Sequence, residues 1–201
     1  MIHIVDDDEA VAGMLATLAR SAGLDAVAHT SGEAFLEAFE PRTAACVVID
    51  AKLPGIGGLE LQRALRSRGA DTPVIVITGQ GGVSMAVQAL KAGAADFIEK
   101  PFSAEVFLAS LRNAVALGRR ALEEHRARAD LAERAGQLSG REREVMELIA
   151  GGLANADAAA ALGISVRTVE SHRARIMVKM GARGLADLVR MWIRLTPPDG
   201  D

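Results

Sequence analysis

Cysteine occurs once in the 201 residues, so Cys46 has no intrachain partner and no disulfide framework is available. It lies in the apolar run 44–49, where a free thiol reads as a small buried hydrophobe. No stretch of about 18 apolar residues occurs, which argues against a membrane-spanning helix. The opening MIHIVDDD has neither the basic region nor the apolar core of a secretory signal. Internal repeats are lacking, and the only biased segment is the Ala-rich run 156–161. These absences point to a cytoplasmic protein without a membrane partner. With half of its residues hydrophobic and 24% charged, the chain has the composition of a packed protein.

Charge is unevenly spread. Residues 1–138 carry 14 Lys/Arg against 18 Asp/Glu, a net of −4, whereas residues 139–195 carry 9 against 6, a net of +3. An acidic front and a mildly basic back suggest two tasks.

The front alternates apolar runs with amphipathic segments. Residues 2–5, 25–28, 46–49, 74–77 and 96–98 read as strands, and 9–21, 32–39, 58–66 and 83–92 have helical apolar spacing. The third and fourth strands are rich in Val and Ile without polar alternation, as parallel strands buried on both faces are. The pattern predicts an α/β domain with a flavodoxin-like, five-stranded, parallel doubly wound sheet over 1–118. A helical stretch follows from 104 to about 134. Its second half is charged and Ala-rich, so 119–137 reads as a protruding linker helix that ends where Gly136 breaks the pattern. A small all-α domain is expected over 138–195, with helices at 141–150, 155–162, 166–180 and 184–195 and a frayed tail at 196–201. Ser139 is placed as an N-cap with Glu142 at the capping-box position.

Doubly wound sheets place ligands at the carboxyl ends of their strands. Asp6 and Asp7 follow the first strand and Asp50 the third, so three carboxylates are expected to converge there. Their mutual repulsion calls for a cation, and an oxygen-rich site suits Mg2+. Lys100 follows the fifth strand and brings a permanent positive charge, while Thr78 ends the fourth with a hydroxyl. Together these are the parts of a phosphoryl-transfer site in which Asp50 is the nucleophile. Asp7 and Asp50 would hold Mg2+, with Asp6 acting through water.

The segments IVDDDEAV, VIDAKLPGIGGLEL, PVIVITGQGG and KAGAADFIEKPF resemble the receiver domains of bacterial response regulators across residues 1–118. The resemblance implies that Asp50 accepts the phosphoryl group from a sensor histidine kinase and that the backbone carbonyl of Lys52 completes the Mg2+ ligands. It also implies that Thr78 and Phe97 form a switch pair that moves when phosphate arrives.

In the back, the run 158–162, then Gly163, then Ser165 capping 166–180 reads as a helix, a tight turn and a second helix that enters the DNA major groove. The segment from Leu138 onward resembles the LuxR-type helix-turn-helix of the FixJ-like branch. Arg167, Thr168, Glu170, Ser171, His172, Arg173, Ala174, Arg175 and Lys179 are the expected DNA contacts. The chain departs from that pattern at Ala156, where a Lys is usual, and at Ala158, where an Ile is usual. A smaller residue at 158 is expected to thin the core and weaken DNA binding.

The expected function is a response-regulator transcription factor rather than an enzyme, with Asp50 phosphorylation driving homodimerisation through the fourth helix and fifth strand onto double-stranded DNA. Two other readings account for fewer residues. A phosphate-independent interaction module leaves the intact acidic pocket unused, and an aspartyl-phosphate enzyme lacks a substrate cleft.

Overall fold

The computed structural model of the chain describes residues 1–40, 44–69, 71–79 and 83–196. Its elements run β1 Ile2–Val5, α1 Glu9–Ser21, β2 Ala26–His29, α2 Gly32–Ala38, β3 Cys46–Asp50, α3 Gly58–Ser67, β4 Val74–Thr78, α4 Val83–Lys91, β5 Asp96–Glu99 and α5 Ala104–Gly136. Then follow α6 Gly140–Ala150, α7 Asn155–Leu162, α8 Val166–Met180 and α9 Leu185–Leu195. The chain divides into two compact units, residues 1–123 and 124–201.

In the first unit five parallel strands are ordered β2-β1-β3-β4-β5, the flavodoxin-like order that the sequence predicts. The alternation of side chains along each strand builds two cores. Ile2, Ile4, Cys46, Val48, Ile75, Ile77 and Ile98 pack with α1 and the first part of α5 on one face. Val5, Val47, Ile49, Val74 and Val76 pack with Phe35, Leu61, Leu65 and Ala89 of α2 to α4 on the other. Every residue of β3 and β4 is buried, which explains their unbroken Val/Ile composition. The strand order reverses between β1 and β3, so the carboxyl ends of these two flank the crevice where such sheets take their ligands.

Strands β3 and β4 run one residue further than their apolar runs, so that Asp50 and Thr78 are themselves strand residues. The ladder carries them: Asp50 is in register with Ile77, and Thr78 with Glu99. Local chemistry sets the helix starts. The Asp8 carboxylate accepts the N–H groups of Ala10 and Val11 at the head of α1, and the Ser31 hydroxyl accepts from Ala34 at the head of α2.

Gly136 closes α5. Each residue from 123 to 130 is exposed, in keeping with the charged, Ala-rich composition of that stretch. Leu131, by contrast, is buried in the core of the second unit with Leu138, Val145, Met146, Ile149, Val169, Ile176, Met180 and Leu188. The second unit therefore reaches back into the segment that reads as linker.

Ser139 caps α6 with the predicted capping box, its hydroxyl accepting from Glu142 N–H while the Glu142 carboxylate accepts from Ser139 N–H. Gly163, at φ +65°, ends α7 in the left-handed region, and Ser165 opens α8 two residues later. Ala158 is fully enclosed in this core. Met146 and Met180 share the core, and Met177 and Met191 pack against it. Methionine adapts to irregular space, which suits a core built beside so small a side chain. The tail at 197–201 lies outside the described residues.

Candidate functional site

The carboxyl ends of β1, β3 and β5 bring Asp6, Asp50 and Lys100 together. Asp6 and Asp50 are only 2% and 7% exposed. The Lys100 ammonium bridges them, donating to Asp6 Oδ2 at 2.7 Å and to Asp50 Oδ2 at 2.5 Å. The remaining oxygens are held by backbone: Asp50 Oδ1 accepts from Lys52 N–H at 2.7 Å and Asp6 Oδ1 from Asp8 N–H at 3.0 Å. Lys100 is itself located by the ladder, its N–H donating to the carbonyl of Thr78 at 2.7 Å.

The gathering is narrower than the sequence implies. Asp7 is exposed, and among the described residues no three metal-binding side chains come together. Asp6 and Asp7 are chain neighbours, and Asp6 takes the buried place beside Lys100 while Asp7 faces solvent. The donor set still fits Mg2+, which keeps several waters and binds through one or two carboxylates rather than a full protein cage. Every candidate donor here is oxygen, as that ion prefers.

Burial is the largest influence on Asp6 and pushes its pKa up, assisted by the charge of Asp50 and opposed by hydrogen bonds from Lys100 and Asp8. Burial also pulls on Lys100, downward, but its hydrogen bonds to Asp50 and Asp6 outweigh this and the net shift is upward. Both shifts are upward, which disfavours the charge on Asp6 and favours the charge on Lys100. The ammonium, within 2.7 Å of two carboxylates, stays charged.

Gly58 touches the same site from α3. A Cβ there would overlap the carbonyl oxygen of Asp50 and lie 2.8 Å from Ala51 Cα, both rigid backbone. We expect Gly58→Ala to cost about 1–3 kcal/mol or more of stability as the β3 terminus is displaced. Chemical denaturation of the two proteins measures it, and an unchanged midpoint would show that the loop yields freely.

Thr78 is fully buried and Phe97 partly so. Because Thr78 pairs with Glu99, Phe97 lies two residues back on the same sheet face, the one covered by α2 to α4. There α4 is thinly attached. Ala89 is its one buried residue among those described, while Val83, Val87 and Leu90 are 83%, 42% and 51% exposed along one side.

In the second unit, Arg167, Glu170, Ser171, Ala174 and Arg175 of α8 are exposed, and Thr168, His172 and Arg173 are partly buried. Thr168 shares a hydrogen bond with Ser165, and Arg173 donates to Asn155 Oδ1 at 2.8 Å. Lys179 is engaged within the unit: its ammonium donates to Glu142 Oε2 at 2.6 Å and to the Gln137 carbonyl at 3.1 Å. Nothing local in the sequence marks this pairing, since 37 residues separate the partners.

That contact, together with the capping bond from Ser139 N–H, holds the Glu142 pKa down to about 2. The Glu142 side chain is itself buried, while that of Lys179 remains partly exposed. A depressed carboxylate pKa contributes stability that is complete above the ordinary value of 4.5 and is lost as pH falls towards about 2. Wild-type protein should therefore lose more thermal stability than Glu142→Gln across that window; parallel melting curves would count against the ion pair.

The chain matches the response regulator receiver domain family over residues 2–112 and the luxR family of bacterial regulatory proteins over residues 136–192. It is 49% identical to the transcriptional regulatory protein FixJ of Azorhizobium caulinodans, covering 94% of this chain and 90% of that protein. Among solved structures, the response regulator StyR aligns with TM-score 0.84 at 36% identity, over 95% of this chain and 96% of that one. Full-length FixJ from B. japonicum aligns with TM-score 0.57 at 37% identity, over 98% of both chains.

Proposed function

We propose, for a chain that belongs to the two-component response regulators in which a receiver domain precedes a LuxR-type DNA-binding domain, that phosphorylation of Asp50 by a sensor histidine kinase controls its pairing and its binding to DNA. Membership of that family makes the protein a transcription regulator, not an enzyme in the usual sense, and implies a sensor kinase and DNA as partners. No described helix is long and apolar enough to cross a membrane. The observation that carries the reading is the Lys100 bridge between two buried carboxylates at the crevice of the sheet.

In this mechanism a carboxylate oxygen of Asp50 attacks the phosphorus of a phosphohistidine. The P–O bond forms as the P–N bond breaks, and the departing imidazole retains the electron pair and takes up a proton. Lys100 exchanges part of its contact with Asp50 for a phosphoryl oxygen, and the Thr78 hydroxyl turns to another. Asp7, Asp50 and the Lys52 carbonyl would hold Mg2+, with Asp6 acting through water. When bound, that ion supplies charge neutralisation at the phosphoryl oxygens. As Thr78 moves, space opens on the sheet face it shares with Phe97, and the ring follows. The thinly held α4 and β5 then shift, and two receivers pair through this face.

Pairing brings two copies of α8 to one duplex, so that two weak half-sites act together. Arg167, Arg173 and Arg175 would hold phosphates, and Glu170, Ser171 and Ala174 would face base edges, with Thr168 and His172 beside them. We divide the chain accordingly into a receiver at 1–118, a helical linker at 119–137 and a DNA-binding domain at 138–195, whose core draws on the end of the linker.

Light scattering in Mg2+ with and without beryllofluoride, a phosphoryl mimic, tests this. The expected result is a shift from monomer to dimer. A mass that does not change would remove the pairing step and leave domain release or a protein partner as the means of control.

A further inference from the structure

The end of α5 meets the end of α8. Helix α8 stops at Met180, followed by Gly181 at φ +68°. Backbone N–H groups of this turn satisfy the carbonyls of Met177 and Val178. The Met180 carbonyl instead accepts a hydrogen bond from Arg134 Nη1 at 3.2 Å. A Cβ on Gly181 would lie 3.0 Å from the same guanidinium nitrogen, so the helix end and the arginine are in direct contact. Leu131, one turn earlier on the same face of α5, is buried in a core with Met180. Beside them Lys179 donates to the carbonyl of Gln137, just past the end of α5. A cation at a helix C-terminus is also favoured by the helix dipole.

We infer that Arg134, in the segment that reads as linker, is a positioning residue for DNA reading: with Leu131 and Lys179 it seats the C-terminal end of the recognition helix and fixes its angle. This rests on the DNA-binding reading of α8 and adds to it a residue that need not touch DNA. The physical consequence is leverage. Candidate DNA contacts start at Arg167, near the opposite end of a 15-residue helix, which at 1.5 Å per residue is a rod of roughly 20 Å. A tilt of about 5° at the seat moves that end by about 2 Å, more than hydrogen bonds to base edges tolerate. Long arginine side chains reaching for phosphates absorb such a shift more easily. Loss of the seat should therefore reduce specificity while sparing non-specific affinity. Lys179, whose ammonium is held by Glu142 and Gln137, joins the seat instead of the phosphate contacts.

The test uses the full-length chain with Arg134→Ala, Arg134→Met and Arg134→Lys. The Met variant retains much of the apolar stem in case the Ala variant folds poorly. The probe is a fluorescent duplex selected from a random pool with wild-type protein, compared with a scrambled duplex across a salt series. We expect Ala and Met to weaken selected-duplex binding about 5- to 20-fold. Scrambled-duplex affinity and the salt slope should be unchanged, and Lys should restore most of the loss. An unchanged preference in Ala and Met would overturn the seat. So would an equal loss on both duplexes with a salt slope lower by about one, which is the signature of a phosphate contact. Failure of wild-type protein to enrich any duplex would instead defeat the DNA-binding reading itself.

Discussion

Asp50→Asn abolishes phosphoryl uptake from a small acyl phosphate in the presence of Mg2+, whereas wild-type protein becomes labelled. The expectation follows from what the substitution keeps and what it removes. An amide oxygen can still accept the Lys52 N–H, and Lys100 retains Asp6, so the local frame persists. What is lost is the anionic oxygen that attacks phosphorus, and no neighbour replaces it: Asp6 is bound by Lys100 and by the backbone of Asp8. The loss should therefore be complete rather than partial. Removing the Asp50 charge also takes away one of the influences that raise the Asp6 pKa, so in the variant Asp6 should titrate lower. Intact-mass measurement after incubation reads the first claim. Stoichiometric labelling of the variant would move the acceptor elsewhere.

The second large effect concerns the exposed side of α4. Val83, Val87 and Leu90 lie at helical spacing on one side, and their exposure on an isolated chain leaves apolar surface in water. If phosphorylated receivers pair through this face, Val87→Asp places a charge into the contact without touching the acidic pocket. An unpaired charge in an apolar contact costs several kcal/mol. A weakening of about 3 kcal/mol lowers dimer affinity by more than 100-fold. The variant should take up phosphoryl groups at the wild-type rate and remain a monomer with beryllofluoride at concentrations where wild type pairs. Normal pairing by the variant would place the interface on another face.

Most of the architecture was legible because it depends on local pattern. The bounds of α1 follow from apolar spacing and those of α7 and α8 from the intervening Gly163 and Ser165, and the five strands follow from their apolar runs to within one residue. Asp50, Lys100 and Thr78 were legible as residues standing at strand ends. Less visible was which partners they would meet. That Lys100 bridges Asp6 and Asp50 depends on strands 50 and 94 residues away, and that Asp7 stays exposed depends on which of two neighbouring carboxylates faces inward. The crowding of Gly58 against Asp50 could have been suspected from the paired glycines Gly57-Gly58, but periodicity says nothing of it. Lys179 illustrates the remaining gap. It lies one helical turn beyond Arg175, which suggests a further phosphate contact, yet tertiary packing commits it to Glu142 and Gln137. Charged side chains on a helix reveal their spacing in sequence, not their partners.

The measurement that bears most directly on the account is the affinity of the full-length protein for its selected duplex with and without beryllofluoride in Mg2+, alongside Asp50→Ala. The account predicts that the mimic tightens wild-type binding at least about tenfold, as two half-sites come to act as one, and leaves the variant unchanged. Equal affinity in all four conditions would contradict it and make DNA binding independent of the pocket at Asp50.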